Sequence, residues 1–214
     1  MDRMRICGVV PAAGISGRMG DFKPLMMVEG KPVILHCIDS MLLAAARPVV
    51  VVLGYRGHEV AALIRARYTT EEVHLVYNDS YADTDMLASV KIGIQALPPC
   101  DAFFLLPGDM PAVDPKTFTA IAGRMSETGA LLAFPSAAGQ RGHPALISHR
   151  LIRKILAFEG DGGLQTLWDQ NMEETVVVPV DDAGCGIDMD TIEDYNKLLA
   201  YMGEKTAFHR ELPK

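Results

Sequence analysis

Five consecutive apolar residues, Val49-Val-Val-Val-Leu53, leave no polar face, and a strand of this kind has to be covered on both sides. Brief Val-, Ile- and Leu-rich runs of the same sort recur at residues 6–12, 73–77, 102–106, 130–134, 145–148 and 176–180. Between them lie segments of helical period at 32–45, 57–67, 87–97, 115–128, 149–158, 163–171 and 191–202. Such alternation predicts an α/β chain in three layers, α/β/α, with a mostly parallel central sheet. Pro32 and Pro115 suit first helical turns, where a missing N–H costs nothing. Asp190 or Thr191 is expected to cap the last helix, with Glu193 and Asp194 near its positive end. At 214 residues and 49% hydrophobic, the chain reads as one domain over 1–203, with a polar, aperiodic and flexible tail at 204–214.

The charge balance narrows the partners. Twenty basic residues against 27 acidic ones give a net charge of −7, and no Lys/Arg block is present, which argues against nucleic acid and against an anionic membrane surface. No apolar stretch approaches the roughly 18 residues that a membrane span needs. The cysteines at 7, 37, 100 and 185 have no Cys-x-x-Cys pairing and read as reduced thiols rather than a zinc or disulfide framework. The cytoplasm is therefore the expected compartment.

Anion binding has to come from local geometry, and one stretch supplies it. Directly after the first predicted strand comes Pro11-Ala-Ala-Gly-Ile-Ser-Gly-Arg-Met-Gly-Asp-Phe-Lys23. Glycines at 14, 17 and 20 allow the backbone to approach a ligand and turn successive N–H groups onto phosphate oxygens. Arg18 and Lys23 add positive charge. A P-loop is excluded because Gly20 is followed by Asp21 and Phe22 instead of Lys-Ser/Thr. The dinucleotide fingerprint fails too: Ser16 stands two after Gly14, and the second strand ends at Leu53-Gly54 without a ribose-binding acid, which weakens an NAD-dependent oxidoreductase. Ligands of open α/β sheets gather at the carboxyl ends of strands, where the Gly14 loop, the Asn78 segment and the Gly108-Asp109 turn are all predicted to emerge. Taken alone, these residues indicate a nucleoside-triphosphate-binding α/β protein with a metal-binding acid.

The stretch Ala12-Ala13-Gly14-x-Ser16-x-Arg18-Met19-Gly20-x-x-Lys23 resembles the signature of the MobA-like nucleotidyltransferases, in particular the molybdenum cofactor cytidylyltransferase branch. Asn78 with Met86 and Ser89, Gly108-Asp109-Met110-Pro111, Gly142-His143-Pro144 and Asp188-Met-Asp190-Thr191-x-Glu193-Asp194-Tyr195 follow in the family's order. The resemblance covers residues 5 to about 200 and implies a Rossmann-like nucleotidyltransferase fold. It further implies a magnesium-dependent enzyme that joins CTP to the terminal phosphate of molybdopterin with loss of pyrophosphate, with a molybdenum hydroxylase as a downstream partner. Alternatives are transfer from GTP or another nucleotide to a different phosphorylated small molecule, or a non-catalytic carrier of a dinucleotide molybdenum cofactor.

Each residue then has an expected task. Ala12, Ala13, Gly14, Ser16, Gly17, Arg18, Met19, Gly20 and Lys23 bind the nucleotide, and Asn78 and Ser89 offer short neutral groups for ribose or base. Arg18 clamps the β- and γ-phosphates with its planar fork, while Lys23 reaches the α-phosphate or the acceptor as a point charge. Asp109 is expected as the first magnesium ligand and Asp188 as the second, with Asp190 pointing elsewhere. Arg18, Lys23 and Asp109 carry catalysis by positioning and charge. An acceptor phosphate that is already ionised needs no strong base, so His143 and Gly142 are assigned to substrate binding. Relatives commonly carry Gly-Met where this chain has Asp85-Met86. Guanylyl-transferring relatives resemble Leu-Ala-Gly-Gly where this chain has Pro11-Ala12-Ala13-Gly14, so the Ala13 methyl is expected to favour a pyrimidine.

Overall fold

In the computed structural model, which describes residues 4–15 and 21–211, with backbone only from 206 onward, the valine run is fully enclosed. The strands are β1 (Ile6–Ala12), β2 (Met27–Val28), β3 (Lys31–Pro32), β4 (Val49–Leu53), β5 (Val73–Tyr77), β6 (Ala102–Leu105), β7 (Leu132–Ala137), β8 (Gln140–Arg141), β9 (Ala145–Ser148) and β10 (Thr175–Pro179). The helices are α1 (Val33–Leu43), α2 (Gly57–Arg65), α3 (Met86–Gln95), α4 (Pro115–Thr128), α5 (Ile152–Ala157), α6 (Gly163–Asp169) and α7 (Ile192–Glu211).

Among the described residues the main sheet runs β10-β7-β9-β6-β1-β4-β5, with β8 attached to β7. β1 is parallel to both β4 and β6, and β4 is parallel to β5, so three runs read as buried strands become the centre of the sheet. Only β9 and the short β8 pair antiparallel within it. Strand residues divide by parity between two cores. Val49, Val51, Leu53 and Phe104 pack with Ile34, Val60 and Phe118 of α1, α2 and α4, whereas Val9, Val52, Phe103 and Leu105 pack with Val90, Ile155 and Trp168. Period-two alternation between two helix layers is what makes a continuous apolar run obligatory. A third, smaller core joins Val28 of β2 and Val33 to Ala112, Met189 and Leu198, tying α7 to the β2–β3 hairpin.

One expectation changes here. The last helix, expected to stop at Met202, continues through Gly203 to Glu211, so most of the segment assigned to a tail has helical backbone. Gly203 lowers helix propensity by only about 1 kcal/mol, which the good helix formers around it can offset. Of the two residues expected to cap that helix, Thr191 does so: its Oγ1 accepts from the Asp194 N–H at 3.2 Å, and the Asp194 carboxylate accepts from the Thr191 N–H at 3.1 Å. This reciprocal capping box leaves Asp190 available for another task.

Candidate active site

The strand order reverses at β1, which has β4 on one side and β6 on the other. Crevices at the carboxyl ends of strands beside such a reversal are the usual ligand sites of open α/β sheets. The chain leaves β1 into Ala13-Gly14 and leaves β6 into Pro107-Gly108-Asp109. These exits are sewn together by backbone bonds, with Leu106 N–H donating to Val9 C=O at 3.1 Å and Gly108 N–H to Pro11 C=O at 3.0 Å. The approach requires glycine, since a Cβ at residue 108 would lie 2.9 Å from the Ala12 Cβ.

Lys23 opens a short 3-10 turn and extends its ammonium between two carboxylates. Its Nζ lies 2.9 Å from Asp109 Oδ2 and 2.7 Å from Asp190 Oδ1. The lysine side chain is 12% exposed, against 25% for Asp109 and 49% for Asp190, so the charge is mostly withdrawn from water. Burial opposes the ammonium charge, but the Asp190 hydrogen bond and the Asp109 carboxylate outweigh it and hold Lys23 above the usual lysine range. The lysine is therefore a permanent cation at neutral pH. Asp188 responds in the opposite sense: burial, and then the charges of Asp190 and Asp109, push its carboxyl above the usual aspartate range, with Lys23 partly counteracting.

This donor set fits a hard divalent cation. Asp109 and Asp188 offer oxygen only, and the mutual repulsion recorded in the raised Asp188 is relieved by a dication. Among the described residues no three His, Cys, Asp or Glu form a complete cage. Magnesium sites of one or two carboxylates, completed by phosphates and water, have this form.

Two cavities of about 140 Å³ each lie side by side at these strand ends. One is walled by Gly14, Lys23, Gly108 and Asp109, and the other by Ala13, Tyr81, Thr84, Asp85 and Ser89. Pro11, Gly14 and Met86 belong to both, so a ligand can pass from the lysine-bearing cavity to the second one across the Gly14 backbone. His143 stands behind Asp109, its N–H donating to Cys185 C=O at 2.7 Å. Burial keeps its imidazole below the usual histidine range against the pull of Asp109, and its Nδ1 is buried without a partner. Gly142 is needed for this packing, because a Cβ there would collide with the Cys185 carbonyl.

A family model of the MobA-like NTP transferase domain matches residues 8–176. The chain belongs to this family. It is a nucleotidyltransferase of MobA/MocA type, and its likeness extends beyond the matched domain. Molybdenum cofactor cytidylyltransferase of Escherichia coli (strain K12) is 29% identical over 189 residues, 87% of this chain and 92% of that protein. The crystal structure of Rv0371c from Mycobacterium tuberculosis H37Rv superposes with a TM-score of 0.75 at 25% identity, covering 92% of this chain and 99% of that one. The complex of Rv0371C with manganese superposes at 0.72 with 24% identity, covering 92% and 98%.

Within this MobA-like frame, several expected contacts are redistributed. Asn78, 3% exposed, faces its own loop: its amide donates to Thr84 Oγ1 and Ser89 Oγ, both at 3.0 Å, and its carbonyl accepts from Ser80 N–H at 3.1 Å. It braces the pocket wall from behind instead of lining it, while Ser89 lines it. Asp190, expected to point away, bonds Lys23, and Thr191-x-x-Asp194 was the sequence signal that could have released it from capping. Ser16, Gly17, Arg18, Met19 and Gly20 lie outside the described residues.

Sequence reasoning also missed two supports. Phe22 meets Tyr55 edge-on at 5.5 Å and Tyr55 meets Tyr81 at 6.2 Å, an aromatic run from the glycine stretch to the second pocket. Asp182, 5% exposed, receives Asp114 N–H at 2.9 Å, Thr117 Oγ1 at 2.7 Å, Gly184 N–H at 3.2 Å and Tyr201 Oη at 3.1 Å. It fixes the turn that delivers Asp188 and Asp190. All four cysteines are buried and free. No helix among the described residues is long and apolar enough to cross a membrane.

Proposed function

We propose that this chain transfers CMP from CTP to the terminal phosphate of a molybdopterin-type acceptor, with magnesium, in the cytoplasm. The product dinucleotide cofactor would then pass to a molybdenum hydroxylase. The observation that carries the reading is the adjoining pair of cavities, one holding Lys23 and Asp109, the other holding Ala13 and Ser89. A triphosphate belongs in the first and its base in the second.

An acceptor phosphate oxygen attacks the α-phosphorus; the new P–O bond forms as the α–β bridging bond breaks, and the electron pair leaves on pyrophosphate. Lys23 contributes fixed positive charge beside the α-phosphate, where it needs no reorganisation as charge develops. Backbone N–H groups of the Gly14 loop and the guanidinium of Arg18 take the β- and γ-phosphates. Asp109 and Asp188 would hold the magnesium, which supplies charge neutralisation on the triphosphate when bound. His143, held below the usual histidine range by burial, and Gly142 shape the acceptor side. Likeness to the Escherichia coli cytidylyltransferase supports both nucleotide and acceptor.

The test is to incubate the protein with each of the four nucleoside triphosphates, magnesium and molybdopterin, and to measure pyrophosphate. Release with CTP that disappears without divalent metal is the expected result. Release with GTP alone overturns the nucleotide assignment, and silence with every nucleotide indicates a carrier. Ala13 is 4% exposed and lines the base cavity. Ala13→Gly is expected to raise GTP use relative to CTP by about tenfold, the scale of one methyl in a shaped pocket.

A further inference from the structure

Resting on the CTP reading above, we propose that Asp85 and Ser89 together read the cytosine edge, Asp85 accepting from the exocyclic amine and Ser89 donating to a ring acceptor. Asp85 is the N-cap of α3, and its Oδ1 accepts the Ala88 N–H at 3.0 Å. An ionised carboxylate has about four acceptor sites, so capping fixes the group while leaving Oδ2 unspent. Ser89 follows four residues later on the same helical face, and both residues line the second cavity.

The direction of the Ser89 hydrogen bond follows from its neighbours. Ser80 N–H donates to Asn78 Oδ1, which fixes the amide so that Nδ2 faces Ser89 and Thr84. Thr84 passes its own proton to Ser80 C=O at 2.9 Å. Ser89 Oγ therefore accepts from Asn78, and its hydroxyl proton remains for the cavity it lines. One wall thus presents an acceptor and, one turn on, a donor. Cytosine matches this order with its amine donor and its ring acceptors, and aspartate is a recognised acceptor for that amine. Uracil presents a carbonyl oxygen to the carboxylate, and guanine does the same, so both are repelled. The Ala13 methyl narrows the remaining space against adenine.

Asp85→Asn separates recognition from capping. Asparagine caps as well as aspartate, through the same Oδ1, but replaces the second oxygen with a donor amide. Affinities for CTP and for UTP with magnesium would be measured by calorimetry, beside pyrophosphate release with each nucleotide. The wild type is expected to prefer CTP by about tenfold or more, and the variant's CTP/UTP ratio to fall by at least about tenfold toward UTP. Asp85→Ser, which also caps but offers no second oxygen, is expected to bring the ratio close to one, and it covers the case in which the amide variant folds poorly. A wild type that prefers CTP, with a ratio unchanged in both variants, overturns this inference alone. A wild type indifferent to CTP and UTP overturns the inference and the CTP reading together.

Discussion

Lys23→Met is expected to lower kcat/KM for CTP by about 10²–10³-fold, the scale for removing one preorganised charge from a transition state. The lysine is nearly enclosed and hydrogen-bonded to both Asp109 and Asp190, so its charge is held in a fixed position before any ligand arrives. Arginine is not expected to rescue the loss, since a planar fork does not fit a slot shaped for a point charge between two carboxylates. The substitution also removes the cation that holds the Asp188 carboxyl down. That carboxyl, already above the usual aspartate range, rises further in the variant. A protonated aspartate is a poor metal ligand. The acidic limb of the pH–rate profile should therefore move to higher pH, and more magnesium should be needed for half-maximal rate at pH 6 than at pH 8. Unaltered turnover and an unshifted acidic limb would remove Lys23 from the chemistry.

Asp182→Ala is expected to destabilise the fold by about 3–4 kcal/mol, because it strands buried donors that have no water to turn to. For a chain of this size that corresponds to a fall in Tm of roughly 10 °C, readable by calorimetry. Asp114 N–H, Thr117 Oγ1 and the Tyr201 hydroxyl all lose their acceptor at once, while Gly184 N–H keeps only Tyr201 Oη at 3.2 Å. Lys205 keeps Asp114 at 3.1 Å, so the variant retains one ion pair across the same joint. Gly184 cannot take up the slack, since its backbone packs too close to the Ala112 carbonyl to admit even a Cβ. Activity should fall further than stability alone predicts, because residues 183–190 lose the anchor that presents Asp188 and Asp190. Asp182→Asn, which keeps one acceptor oxygen, is expected to fall between the two.

The central sheet was readable because its strands carry no polar face. The runs at 6–12, 49–53, 73–77 and 145–148 correspond to β1, β4, β5 and β9. The two-residue strands β2, β3 and β8 are too short to show any period, and their pairing comes from tertiary contact. At the candidate site, glycines and strand-end position picked out Lys23 and Asp109, whose side chains the fold brings to 2.9 Å. The bond from Lys23 to Asp190 did not, since a contact across 167 residues leaves no local pattern. Asn78 was legible as a polar residue at the right strand end, but its direction was not: only the loop geometry shows that Ser80, Thr84 and Ser89 consume its hydrogen bonds. Asp182 stood beside Asp181 with nothing in the sequence to separate a buried anchor from an exposed neighbour.

The small third core, where α7 meets the β2–β3 hairpin, bears on how the protein is made. Translation proceeds from the N-terminus, and domains generally fold as they emerge. The parallel centre of the sheet is complete once β6 has been synthesised, yet Asp190, the second carboxylate gripping Lys23, follows well after β6 in the chain. A growing chain can thus assemble its scaffold early while the candidate site stays unfinished until the segment after β10 has emerged.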